Sequence, residues 1–185
     1  MTFKKLLAAA GTIAFAAALP TTAVADNDKS EFASTTILSA AQEVAEIPVV
    51  SNGFARATIR FDRGFSEARI RVRFNSLEGG VTRLHLHCNV AGANGPIAIG
   101  LIDTIAAVND NSDVITLAGH RITGTITNAD FPEIDPCPDV VGRPINNIAS
   151  LAAAIDAGLV YWNLHTTAFG PGELRGQVRP TKERY

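Results

Sequence analysis

Gly53-Phe54-Ala55-Arg56-Ala57-Thr58-Ile59-Arg60-Phe61, a break at Asp62-Arg63-Gly64, then Glu67-Ala68-Arg69-Ile70-Arg71-Val72-Arg73-Phe74: apolar and polar residues alternate through both runs. A period of two sends successive side chains to opposite faces of a strand. Gly53, Ala55, Ala57, Ile59 and Phe61 therefore share one face, and Phe54, Arg56, Thr58 and Arg60 the other. In the second run Ala68, Ile70, Val72 and Phe74 oppose Glu67, Arg69, Arg71 and Arg73. The Asp-x-Gly break is a turn signal. The two runs read as an antiparallel hairpin with one apolar and one basic face.

The same alternation recurs on both sides of this hairpin. It starts near Thr35 and returns at Val81 to Cys88, Pro96 to Ile102, Asp113 to Leu117, Arg121 to Thr127, Leu159 to Thr166 and Glu173 to Arg179. Many short strands separated by Gly and Pro predict an all-β domain, an antiparallel β-sandwich or barrel. A superoxide-dismutase-like Greek key is among the arrangements this allows. One segment departs from the pattern. Ile148, Leu151, Ala152 and Ile155 recur at spacings of three and four, which predicts one short amphipathic helix. Asn146 or Asn147 suits its start and Gly158 its end. Phe131 to Pro144, with four prolines and Cys137, predicts an irregular loop.

The 185 residues fit one domain, and 46% hydrophobic against 18% charged residues is a composition that buries a core. Lys4 and Lys5, the apolar run Leu6 to Leu19, and Ala23-Val24-Ala25 form the pattern of a signal peptide. The expected organisation is a signal peptide at 1–25, a leader at 26–34, the β domain at 35–180 and a tail at 181–185. The apolar run is shorter than the roughly 20 residues of a spanning helix, so export to the periplasm or beyond is expected, with no membrane span left after cleavage. Cleavage removes two lysines and no acid, taking the formal charge from −2 to −4. That balance excludes a general nucleic-acid binder. In an oxidising compartment the lone pair Cys88 and Cys137 reads as a disulfide. A thiolate metal ligand at Cys88 is the alternative.

Three histidines carry the chemistry. In Val81 to Cys88 the alternation puts Leu84, Leu86 and Cys88 on the core face, and Arg83, His85 and His87 on the other. In Leu159 to Thr166, Trp162 and Leu164 share a phase, which leaves Tyr161, Asn163 and His165 opposite. All three imidazoles are thus expected on polar faces, pointing outward. Residues i and i+2 of a strand lie about 7 Å apart, close enough for two imidazoles to converge on one ion and be joined by a third. Imidazole suits copper(II) and zinc. Met1 is the only methionine and lies in the signal segment, which rules out a thioether copper(I) site. Outward histidines on a strand are also what solvated surface looks like, bonded to a neighbour such as Glu173. His120 is in phase with Ile122 and is the poorer ligand candidate.

Arg56, Arg60, Arg69, Arg71 and Arg73 share the outer face of the hairpin. Opposed like charges destabilise a sheet, so this face either meets counter-charge such as Glu67, or binds an acidic partner or polyanion. No Gly-x-Ser-x-Gly turn, phosphate-cradling glycine loop or His-Glu-x-x-His helix occurs. A conventional enzyme is not expected.

Several motifs together resemble the chordin-type (CHRD) domain family. Leu38-Ser39-Ala40-Ala41-Gln42-Glu43-Val44 is similar to its opening motif, and Thr82 to His87 to its His-x-His strand. Gly92-Ala93-Asn94-Gly95-Pro96-Ile97 resembles the glycine-rich turn that follows. Tyr161-Trp162-Asn163-Leu164-His165-Thr166 and Pro171-Gly172-Glu173-Leu174-Arg175-Gly176-Gln177 match its last two motifs. The resemblance is collinear from Leu38 to Val178. It implies an exported module, and it maps the family's motif histidines onto His85, His87 and His165. Cys88 after the histidine pair and the Pro132 to Pro144 insert depart from the pattern. The expected function is a binding module holding copper or another transition metal in a surface histidine cluster. The alternative is a structural or adhesive module that contacts an envelope or extracellular protein, or a polyanion. A similar His-x-His strand carries copper in copper-zinc superoxide dismutase, but that site needs a fourth histidine and a zinc subsite for which no spacing is present.

Overall fold

The computed structural model describes residues 32–105, 111 and 113–179. The expected signal peptide, residues 26–31 of the leader and the tail at 181–185 lie outside them. Nine strands form: β1 (Phe32–Ser39), β2 (Phe54–Phe61), β3 (Glu67–Asn75), β4 (Val81–Cys88), β5 (Ile97–Asp103), β6 (Ile115–Ala118), β7 (Arg121–Thr127), β8 (Val160–Thr166) and β9 (Leu174–Gln177). β1 thus starts three residues before the expected Thr35. Every pairing is antiparallel, in the order β5-β4-β8-β9-β1-β2-β3-β7-β6. The single sheet rolls into a nearly closed barrel, so of the two expected architectures the barrel is the one observed. At the gap between the edge strands, Asn111 Nδ2 donates to the Gly100 carbonyl of β5 (2.7 Å) and to the Asp130 carbonyl (3.0 Å).

The β2–β3 hairpin has the register its alternation predicts. Ala55 lies opposite Phe74, Ala57 opposite Val72, Ile59 opposite Ile70 and Phe61 opposite Ala68, all buried. Its turn is built on Asp62, whose carboxylate accepts from the amides of Gly64, Ser66 and Glu67. Those donors, the Glu67 amide foremost, hold its pKa below the usual carboxylate value.

Leu38, Ile59, Phe61, Leu84, Leu86, Ile122, Ile126 and Trp162 fill the barrel with essentially no exposure. Burial of each such side chain contributes about 1.5–3 kcal/mol. The long β7–β8 connection holds a single helical turn, α1 (Pro138–Val141), and the expected helix, α2 (Ile148–Asp156). α2 buries Ile148, Leu151, Ala152 and Ile155. Asn147 caps it by accepting from the Ser150 amide, while the Ser150 hydroxyl accepts from the Asn147 amide. Gly158 follows with φ 72°, a left-handed conformation that glycine adopts without strain. Cys88 and Cys137 are joined as a buried disulfide that ties the proline-rich loop to the end of β4.

Candidate metal centre

β4 and β8 are adjacent, in a register that sets His87 opposite Tyr161, His85 opposite Asn163 and Arg83 opposite His165. Leu84, Leu86 and Cys88 turn into the core as expected. His85 and His87 follow one another on the outer side of β4, and His165 sits diagonally across from His85. Diagonal neighbours on paired strands are within reach of long side chains. Ring centroids are 5.5 Å apart for His85 and His87, and 5.1 Å for His85 and His165. One nitrogen from each ring lies within 4.8 Å of the others.

Hydrogen bonds set the tautomers of two rings. His87 Nδ1 is 2.9 Å from the Gly95 carbonyl, and His165 Nδ1 is 2.8 Å from the Gly170 carbonyl. A carbonyl only accepts, so each Nδ1 carries the proton and each Nε2 keeps a free lone pair. This is the outer-shell arrangement that orients metal-ligating imidazoles. Both free Nε2 atoms and both nitrogens of His85 are buried without a hydrogen-bond partner. Leaving a buried polar atom unsatisfied costs about 1–3 kcal/mol, and three imidazoles sharing that deficit call for a common ligand. His85 Nε2 stands 4.0 Å from the Asp103 carboxylate on β5.

Burial is the largest cause of lowered imidazole pKa values here, because a charged ring loses its water. It brings His85 to about 3, with His87 and His165 adding repulsion, and His87 to about 4. His165 is lowered as well. At neutral pH all three rings are uncharged donors. Three nitrogens no more than 4.8 Å apart place a central ion at most about 2.8 Å from each; zinc–imidazole bonds are roughly 2.0–2.1 Å. Ring shifts of about 0.7 Å would therefore complete a three-nitrogen site, which leaves a coordination position open.

One expectation needs correcting. The imidazoles share a side of the sheet but do not face bulk water: His85 is 2% and His165 6% exposed. Loops lacking any periodicity fold over the outer side of β4 and β8. They are residues 43–49 after β1, 89–96 between β4 and β5, and 167–172 between β8 and β9. Between them is a cavity of roughly 640 Å³, lined by His87, His165, Tyr161 and Asn163 below and by Val44, Ile47, Pro48 and Phe169 above. Glu43 borders it, donated to by Asn163 Nδ2 at 2.7 Å. Burial raises its carboxyl to about 7, against the opposing pull of Arg175.

A stack holds His87 from the other side. Tyr161 lies parallel to it with ring centroids 5.0 Å apart, and the Arg175 guanidinium sits 3.5 Å from the centre of the Tyr161 ring. Arg175 is fixed in turn by Asn94 Oδ1 and the Ala93 carbonyl. Glu43, Asp103 and Tyr161 were not marked as site residues by the sequence, although the alternation of β8 had set Tyr161 on the histidine side.

Glu173 does not pair with the histidines. It is buried at one end of the barrel, accepting from the Ser51 and Thr166 hydroxyls and the Glu78 amide. Cys88 is no thiolate ligand, since it is spent in the disulfide and faces the core. His120 is exposed against the edge of the Phe74 ring, apart from the cluster. The five hairpin arginines lie on exposed positions of β2 and β3, on strands separate from this centre.

No curated protein and no solved structure matches the chain. The sequence profile of the CHRD domain matches residues 34–178, a span that takes in all three histidines, the disulfide and all nine strands but for the first residues of β1. The chain belongs to the CHRD domain family.

Proposed function

We propose that this chain is an extracytoplasmic metal-binding module that holds one copper(II) or zinc ion on His85, His87 and His165. One observation carries the reading: three neutral imidazoles converge, with their free nitrogens buried and unsatisfied, while carbonyls fix the far side of two rings. Neutral imidazole is the ligand form that copper(II) and zinc take, and copper(II) heads the affinity series. With both cysteines in the disulfide and no methionine among the described residues, the donor set lacks the soft sulfur ligands of copper(I). The family, whose domains are typically extracellular or periplasmic, and the signal-peptide pattern support export. Among the described residues no helix is long and apolar enough to cross a membrane. The role is binding and not catalysis, a reading that rests on the sequence motifs.

Calorimetric titration of mature protein with Cu(II) and with Zn(II) tests it. The expected result is one ion per chain for the wild type, and at least 100-fold weaker binding for His85→Ala and for His87→Ala. Equal affinity in wild type and variants would remove the site.

A further inference from the structure

The barrel carries a second polar surface, remote in the sheet from the histidines. On the outer side of β2, β3 and β7 the register sets Arg56 opposite Arg73 and Arg73 opposite Arg121, a row of three arginines across three strands. Two residues along, Arg71 lies between Thr58 and Thr123. In the next row Arg69 lies between Arg60 and Thr125. Arg121 belongs to this face although it is far from the hairpin in sequence. All six arginines are exposed.

Folding does not explain this arrangement. Arg56 with Arg73, Arg73 with Arg121, and Arg60 with Arg69 are directly opposed like charges, which weaken a sheet. Glu67, two residues beyond the last row and opposite Thr127, lies 3.5 Å from Arg69. Among the described residues no acid pairs with Arg56, Arg60, Arg71, Arg73 or Arg121. The whole chain has a formal charge of −2, so the positive charge is concentrated on one face of an otherwise acidic protein.

We propose that this face binds a linear acidic polysaccharide, its carboxylate or sulfate groups lying along the arginine rows. Alternate residues of a strand are about 7 Å apart and neighbouring strands about 4.8 Å apart. The rows therefore present a grid of guanidinium forks, each able to take an oxyanion through two parallel hydrogen bonds. The middle row adds hydroxyls from Thr35, Thr58 and Thr123, with Thr35 and Thr58 already in contact at 3.4 Å, and these suit sugar hydroxyls between the charges. Nucleic acid is the poorer fit, because single strands are held by stacking successive bases on aromatic rings, and Phe54 at the end of β2 is the one exposed aromatic that the described strands put on this face. A lipid surface is the poorer fit because Ile37, opposite Arg56, and Phe54 are the two exposed large apolar residues on the described part of this face, both at one end of it.

Retention on immobilised polygalacturonate and heparin, with neutral dextran as control, tests the proposal in low salt. Wild type is expected to bind both acidic polymers and not dextran, with affinity falling steeply as salt rises. Arg56→Gln/Arg73→Gln/Arg121→Gln should weaken binding at least tenfold, and Arg143→Gln, at an exposed loop position, should leave it unchanged. Circular dichroism and a thermal melt of the triple variant establish that it is folded. Retention of the triple variant equal to wild type overturns the proposal. So does equal or tighter wild-type binding to single-stranded DNA or to anionic vesicles. The histidine site takes no part, so chelator should change nothing in this assay.

Discussion

Lowering the pH from 7.5 to 5 should destabilise the metal-free protein, because the unfolded chain takes up protons that the buried imidazoles refuse. His85 is held at about 3 and His87 at about 4, against an ordinary 6.5. A folded pKa below the unfolded one leaves stability intact above pH 6.5 and erodes it as the pH falls toward the folded value. At pH 5 each of the two imidazoles costs about 2 kcal/mol, roughly 4 kcal/mol together, with His165 acting in the same direction. Glu43 opposes this. Its folded carboxyl is raised from 4.5 to about 7, so it contributes stability at low pH that is lost as the pH rises through 7. Over the same window acidification gains about 2 kcal/mol from it. The wild type should therefore lose about 2 kcal/mol between pH 7.5 and 5, and Glu43→Gln about 4 kcal/mol. Urea unfolding in the presence of chelator measures this. In His85→Asn/His87→Asn only His165 is left to oppose Glu43, so the loss on acidification should disappear. Equal pH slopes in wild type and in both variants would refute the reasoning.

The supports of the site give further tests. A Cβ at Gly95 would collide with the Cys88 carbonyl oxygen. Gly95→Ala should therefore move the carbonyl that orients His87, weakening copper affinity about 10–100-fold and lowering stability by about 2 kcal/mol or more in thermal melts. Cys88→Ser/Cys137→Ser opens a loop with a sequence separation of 49 residues. It should lower urea stability by about 4 kcal/mol while the variant still binds copper, because the disulfide lies on the core side of β4. Zinc at 100 times its Kd should raise wild-type stability by about 2.7 kcal/mol and leave His85→Ala/His165→Ala unchanged in the same assay.

Alternation made most of the barrel legible. The hairpin register, the histidine side of β4 and the stripe of α2 all follow from a period of two or of 3.6, because in each case one face meets the core and the other does not. β8 is different. Its seven residues are buried on both sides, so Tyr161, Asn163 and His165 look like an exposed polar face in sequence although loops cover them. Those loops have no period, and nothing local in Glu43 to Val49 says that the chain folds back over β4. For the same reason Glu43 and Asp103 could not be assigned, since their proximity to the cluster is wholly tertiary. Glu173 was misplaced because Gly172, with φ 142°, turns the chain just before β9 and breaks the strand phase. Arg121 escaped notice because only strand pairing brings it beside Arg73.

A crystal structure of copper-loaded protein, with diffraction data collected on both sides of the copper absorption edge, tests the central claim most directly. The account predicts one anomalous peak per chain, at bonding distance from ring nitrogens of His85, His87 and His165. Full copper occupancy elsewhere on the chain, with those three rings unligated, would contradict it.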